Sequence, residues 1–320
     1  MKKTPIGTTG IAVTPLCFGT SGLGSMPDTY GYAVDDERAH ATINAIFDGP
    51  VNFLDTSRNY GFGRSEERVG DVIRARGGIP EGFVLCTKVD RNMETRRLDA
   101  GRTRESFEES LKALSVERVQ ILHLHDPEHC ANLDDITRPG GALDELFKIK
   151  EEGLADAVGL AMGKIEIMFP MVRDRPFDCI INHNRFTLLN READELFSHC
   201  AANNIAVFNA APFAGGVLAK GSDQMKRVTY MEADDDALAP VRAVERVCAE
   251  HDIAPGAAAL QFSLRDPRVA STIVGVSKPE RVHETLAWAE ATISDDAWDA
   301  LGKLPYSSTD PEANRVYRPG

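Results

Sequence analysis

An α/β fold, a single (β/α)8 barrel of the TIM type preceded by an N-terminal β-hairpin, is predicted by three features of the 320-residue sequence. Short β-prone runs alternate with longer helix-patterned segments, as in a parallel sheet built from βα units. The runs number eight, the count a closed barrel needs, and barrels of this kind routinely exceed about 250 residues. No linker or break in composition divides the chain, so residues 1–320 read as one domain. A doubly wound sheet is the alternative that shares the alternation.

The chain opens on TPIGTTGIAV, two short runs about Thr9-Gly10, which reads as a hairpin able to plug the N-terminal end of a barrel. The eight strand runs follow as LCFG (16–19), VNFLD (51–55), FVLCTK (83–88), VQILHLH (119–125), ADAVGLA (155–161), DCIIN (178–182), IAVFNA (205–210) and ASTIVGV (270–276). Between them lie amphipathic segments. Arg102 to Leu114 puts Phe107, Leu111 and Leu114 on one face, and Ala142 to Glu152 spaces Leu143, Leu146 and Phe147 in the same way. After the seventh strand, Gly215 to Asp236 is too long for an ordinary βα loop and is a candidate lid.

Composition narrows the function. With 42% hydrophobic and 27% charged residues, the chain has the make-up of a soluble globular protein, and no apolar run approaches the roughly 18 residues of a membrane span. The start, MKKTPIGTTGIAV, has two lysines but no sustained apolar segment and no cleavage site, so export is not expected. Six cysteines lie without paired spacing, three of them (Cys17, Cys86 and Cys179) inside strand-like runs where free thiols pack, which predicts a reducing cytoplasm. A formal charge of −13 with no basic stripe excludes nucleic acid, while a few local cations could still hold an anionic cofactor because distant charges are screened beyond about 10 Å. The expected partner is a small-molecule substrate, on a monomer or small homo-oligomer.

The strand assignments put Asp55, Lys88 and His125 at the last positions of the second, third and fourth runs, with Tyr60 in the loop after the first of these. That is the catalytic face of a barrel. A phenol of pKa about 10 handles protons poorly at neutral pH, but an ammonium such as Lys88 stabilises the phenolate. Lys88 in turn needs an anion if it is buried, and Asp55 is the natural one. His125 could hydrogen-bond the phenol or a substrate oxygen. Taken singly, an Asp near a Tyr reads as a helix cap and a strand-end Lys as a snorkelling surface chain. Together they make the proton-handling half of a hydride transfer at a carbon-bound oxygen.

These residues resemble the aldo-keto reductases over nearly the whole chain. DTSRNYGFGRSEERVG is similar to that family's Asp-Thr-x-x-x-Tyr-Gly-x-Gly-x-Ser-Glu block, Lys88 stands at its third-strand lysine, and LHLHDPE carries its strand-four histidine as His125. The resemblance implies a catalytic tetrad of Asp55, Tyr60, Lys88 and His125 and a cofactor, NADP or NAD. IVGVSKPERVHETL resembles the family's adenine-dinucleotide segment, so Ser277 and Lys278 are expected at the adenosine phosphate, Arg281 at the 2′-phosphate or adenine, and Glu284 at the adenine edge. The same likeness assigns Gly19, Thr20, His183, Ala210, Pro212, Phe213, Gly216, Leu218 and Gly275 to the cofactor cleft. No metal is implied.

The chain departs from the family at Ala161 and Met162, where many members have Ser-Asn, at His183 in place of Gln, and at Ala210 in place of an aromatic. Phe213 or Phe208 is then left to supply a ring face. HDPE (125–128), NRFTLLN (184–190) and NAAPFAGGVLAKG (209–221) are most similar to the aldose 1-dehydrogenase subgroup, acting on L-fucose, D-threo-aldoses or L-galactose, and pyridoxal dehydrogenases share much of the pattern. Arg58, Asp126, His129 and Asn184 are the candidate substrate-binding residues. Two rivals stand beside this reading. His123 and His125 could hold zinc in a barrel hydrolase with His129, Cys130 or His183, though this leaves Tyr60 and Lys88 unexplained. A cofactor-binding regulatory barrel like the potassium-channel β subunits is the other.

Overall fold

A computed structural model describes residues 1–315. Its first strands, β1 (Thr4–Pro5) and β2 (Ala12–Val13), pair antiparallel with Thr4 opposite Val13. The barrel strands are β3 (Leu16–Gly19), β4 (Phe53–Asp55), β5 (Val84–Val89), β6 (Val119–His125), β7 (Ala155–Met162), β8 (Cys179–His183) and β9 (Ala206–Ala210). A second small hairpin, β10 (Arg227–Val228) with β11 (Met231–Glu232), precedes the last barrel strand, β12 (Val269–Gly275). The eight barrel strands run parallel and close, β12 pairing β3 on one edge and β9 on the other. The doubly wound alternative is excluded by this closure.

Two apolar layers follow from the strand pleat. Residues facing inward (Cys17, Phe53, Cys86, Ile121, Phe208) pack with Ile6, Ile11 and Val13 of the first hairpin, which plugs the barrel floor. Residues facing outward (Leu54, Leu85, Leu122, Val158) meet the helices. The helix Ala100–Leu114 buries Phe107 and Leu114 in this layer, with Leu111 half-covered, and Ala142–Glu151 buries Leu143 and Leu146. Asp99 starts the first of these by accepting from Arg102 N at 2.8 Å, and Asp35 does the same for the helix Asp36–Phe47 through Arg38 N. The segment 215–236 is not irregular throughout. It forms a one-turn helix, Val217–Lys220, and the β10/β11 hairpin before the helix Asp235–Glu250. Among the described residues no helix is long and apolar enough to cross a membrane.

Candidate active site

Register sets the site. Gly19 lies opposite Asp55 across β3/β4, and Lys88 opposite His123 across β5/β6, so the C-terminal strand ends converge on one mouth. Lys88 is the penultimate residue of β5, which runs on to Val89, and its side chain is 1% exposed. Its Nζ donates to both Asp55 oxygens (2.7 and 2.8 Å) and to the Thr56 carbonyl (2.7 Å), and lies 3.2 Å from the Tyr60 hydroxyl. The loop that brings Tyr60 there is tight. A Cβ on Gly61 (φ +62°) would sit 2.0 Å from the Gly24 carbonyl, and one on Gly63 (φ +97°) would strike the Arg58 guanidinium.

Electrostatics differ from the sequence expectation at the phenol. Burial, followed by the Asp55 carboxylate, raises the Tyr60 pKa well above its ordinary value. The Lys88 ammonium does not outweigh this, its charge being matched by the Asp55 carboxylate that it contacts directly. The hydroxyl therefore carries its proton at neutral pH. The Tyr60 and His125 rings meet edge-on, 5.8 Å apart. For His125, burial alone would lower the pKa, but Asp126 and then Asp90 outweigh it and hold the ring above its ordinary value.

A cavity of about 880 Å³ runs from this cluster to the N-terminus of the helix Pro279–Glu290. Asp55, Tyr60, Lys88 and His125 all line it, so the structure brings together the four residues singled out from the sequence. Gly19, His183, Ala210, Pro212, Phe213 and Gly216 also line it, as do Gly275, Ser277, Lys278, Arg281 and Glu284. Thr20 and Leu218 do not. The Thr20 hydroxyl is behind the wall, donating to the Asp55 carbonyl at 3.1 Å, and Leu218 is buried in the apolar cluster beneath the 215–236 segment. Phe208 packs on Phe53 in the barrel floor, whereas Phe213 meets Trp288 edge-on at 5.7 Å in the cavity wall.

Of the substrate candidates, only Asp126 faces the cavity. Arg58 points outward to Glu66, Glu67 and Glu109 (3.6 to 3.7 Å) and lines a separate cavity of about 210 Å³. Asn184 is buried under the chain's end, its amide donating to Glu312 Oε1 at 3.0 Å. His129, in the short turn Pro127–His129, is half-buried outside the lining. The zinc reading fares no better. His123 sits in the barrel interior with its ring nitrogens 3.2 Å from Cys86 Sγ and 3.4 Å from Cys179 Sγ, and among the described residues no three His, Cys, Asp or Glu side chains converge on a metal position.

Several cavity residues had no signal in the sequence. Arg38 donates to the Ser277 carbonyl at 2.7 Å from 239 residues away. Tyr30, Tyr32 and Tyr230 form an aromatic wall, Tyr30 lying 6.0 and 6.3 Å from the other two. Arg315 stacks 4.5 Å from the Tyr230 ring and pairs with Glu312, which also binds His183 and Arg185. Nothing in the sequence around these residues sets them apart among the chain's 36 Lys and Arg and 6 Tyr.

The cavity's far end suits a dinucleotide. The helix Pro279–Glu290 starts at Pro279 with no side chain capping its first turn, leaving backbone N–H groups beside Lys278 and Arg281 for a phosphate. Residues 15–304 match the model of the aldo/keto reductase family, and the chain belongs to that family of oxidoreductases. It is similar to the pyridoxal 4-dehydrogenase of Microbacterium luteolum (28% identical, 94% of this chain and 96% of the relative) and to a D-threo-aldose 1-dehydrogenase from Pseudomonas sp (28%, 92% and 94%). An L-galactose dehydrogenase from Arabidopsis thaliana is 29% identical over 88% of this chain and 86% of its own. In fold it matches an aldo-keto reductase from Bacillus halodurans solved in its holo form, with a TM-score of 0.78 at 21% identity over 99% and 100% of the two chains.

Proposed function

We propose that the protein transfers hydride between a nicotinamide cofactor, NADP or NAD, and C1 of an aldose, interconverting the sugar and its lactone, with Tyr60 as general acid and base. The observation that carries this reading is the Lys88 ammonium buried between Asp55 and the Tyr60 hydroxyl at one end of a cavity whose other end is a cationic helix N-terminus. The cofactor supplies or accepts the hydride. Ser277, Lys278 and the first turn of Pro279–Glu290 would hold its phosphates, Arg281 and Glu284 its adenosine end, and Gly19, Ala210 and Gly275 leave room beside the strand ends.

The chain's own residues handle the proton. Tyr60, protonated at rest, donates to a carbonyl oxygen in the reductive direction, and the same hydroxyl must first ionise to take the proton of an alcohol. His125, 6% exposed at the cavity wall, binds the reacting oxygen. Asp126 and His183 are the polar partners for further hydroxyls, and a site built to bind hydroxyls rejects analogues lacking them. The relatives named as aldose dehydrogenases support the sugar reading. A second reading, a pyridoxal or general aldehyde substrate, is favoured by the Tyr30, Tyr32 and Tyr230 wall and by the pyridoxal relative. Incubation with NAD or NADP and a panel of aldoses, their methyl glycosides and pyridoxal separates these. Reduced nicotinamide is expected with free aldoses and not with the glycosides, whose anomeric oxygen is methylated and has no hydroxyl proton to give up. Turnover of pyridoxal alone would sink the sugar reading and leave the oxidoreductase standing.

A further inference from the structure

Asp90 lies two residues beyond Lys88 and does not line the main cavity, yet it is 1% exposed and held from every side. Its backbone N–H donates to Ser106 Oγ (2.8 Å) and its carbonyl accepts from Arg102 Nε (3.0 Å), so its position is fixed by the helix Ala100–Leu114. One carboxylate oxygen, Oδ2, accepts both the Ser57 hydroxyl (2.7 Å) and the Asn59 backbone N–H (2.9 Å). The other, Oδ1, is 2.6 Å from His125 Nδ1. Burial alone would raise the Asp90 carboxyl, but the His125 charge and hydrogen bond, with the Ser57 hydroxyl, outweigh it and hold it below the ordinary range.

We propose that Asp90 is a positioning residue for His125, fixing its proton on Nδ1 so that Nε2 alone faces the reacting oxygen. This rests on the proposed reaction only for its kinetic consequence. An ionised carboxylate can only accept, so Nδ1 must be the donor. Neutral His125 then offers a lone pair at Nε2, which accepts from an alcohol, while the imidazolium offers an N–H there, which donates to a carbonyl. The charge state of His125 thereby sets which of the two substrate forms is bound better, the carbonyl below its pKa and the alcohol above it. The groups facing the ring are Asp90 at Nδ1, with the Ser57 hydroxyl 3.0 Å from the same nitrogen, Asp126 at 3.6 Å from Nε2, the Tyr60 ring edge-on, the Lys88 ammonium, and His129 and His123 further off.

The geometry makes Asp90→Asn a sharp probe. Two donors already point at the Oδ2 position, so the amide oxygen must take that place and the NH2 must face His125 Nδ1. Nδ1 becomes an acceptor and the neutral ring's proton moves to Nε2. The test is a nitrogen-15 NMR titration of the unliganded protein labelled at histidine, with His125 assigned by its loss in His125→Gln. The wild type should show the Nδ1–H tautomer when neutral. Asp90→Asn should show the Nε2–H tautomer and a lower ring pKa, since one of two flanking carboxylates is gone. An Nε2–H tautomer in the wild type, which needs no variant to fold, overturns the proposal, as does an unshifted ring in Asp90→Asn. In kinetics, Asp90→Asn should lower kcat/KM about 10- to 100-fold, as loss of a carboxylate orienting a functional histidine does in metal sites, and should cost nothing further in a His125→Ala background. An equal loss in both backgrounds would mean a purely structural role. Because the NMR measurement uses neither substrate nor cofactor, failure of the sugar reading would leave its outcome untouched.

Discussion

Replacing Lys88 by Met keeps an unbranched apolar stem and removes the terminal ammonium with its charge and donors. The ammonium, 1% exposed, is among the described residues the sole cation in contact with Asp55, touching both carboxylate oxygens, and it also binds the Thr56 carbonyl. Removing one partner of a buried ion pair costs about 3–5 kcal/mol, because the other charge is left without compensation. Losing the donor to the Thr56 carbonyl adds about 1 kcal/mol or more. Lys88→Met should therefore lose about 4–6 kcal/mol in urea unfolding followed by far-ultraviolet circular dichroism. Asp55→Asn in the same background removes the stranded charge, so the double variant should be more stable than the sum of the two single losses by at least about 2 kcal/mol. Additive losses, or a Lys88→Met variant within about 0.5 kcal/mol of wild type, would refute the claim that this pair is closed and interdependent.

Tyr60→Phe should lower turnover about 10²- to 10⁴-fold while cofactor binding, read by quenching of tryptophan fluorescence, stays unchanged, because only the proton-handling hydroxyl is lost; near-native turnover would remove Tyr60 from the chemistry. Since burial and Asp55 raise the Tyr60 pKa, the phenolate fraction keeps growing with pH, and oxidative kcat/KM should still be rising at the ordinary phenol value of about 10. A plateau near neutrality would show that the bound site lowers it instead. Arg281 pairs with Glu284 and stacks 5.5 Å from the Trp288 ring, at the cavity end assigned to adenosine. Arg281→Ala should weaken NADP binding by about 1.5–3 kcal/mol, roughly 10- to 150-fold, and NAD binding less; equal losses in calorimetry would place Arg281 on groups the two cofactors share.

The barrel was readable because its signal is local. VQILHLH is β-prone over a full strand and β6 spans the same residues, and LCFG likewise became β3 unchanged. Other edges moved by one or two residues, as at β4, which begins at Phe53 rather than Val51. The four polar residues at the mouth were readable for a related reason. Each is carried by a strand end or the turn that follows, so placing the strands places them. Arg58 and Asn184 misled for the opposite reason. Both sit in loops, where sequence proximity to the site says nothing of direction, and both turn to carboxylates instead, Arg58 to Glu66, Glu67 and Glu109 and Asn184 to Glu312. Arg38, Tyr230, Glu312 and Arg315 reach the cavity or its rim from distant segments, and contacts of that separation leave no periodic trace in a single sequence.

Hydride transfer from C1 is tested most directly with an aldose deuterated at that carbon. Incubated with the protein and NAD or NADP, it should yield reduced nicotinamide carrying the deuterium at ring carbon 4, detected by mass spectrometry, together with unlabelled lactone. Reduced cofactor without the label, or no reduced cofactor from any aldose, would contradict the account.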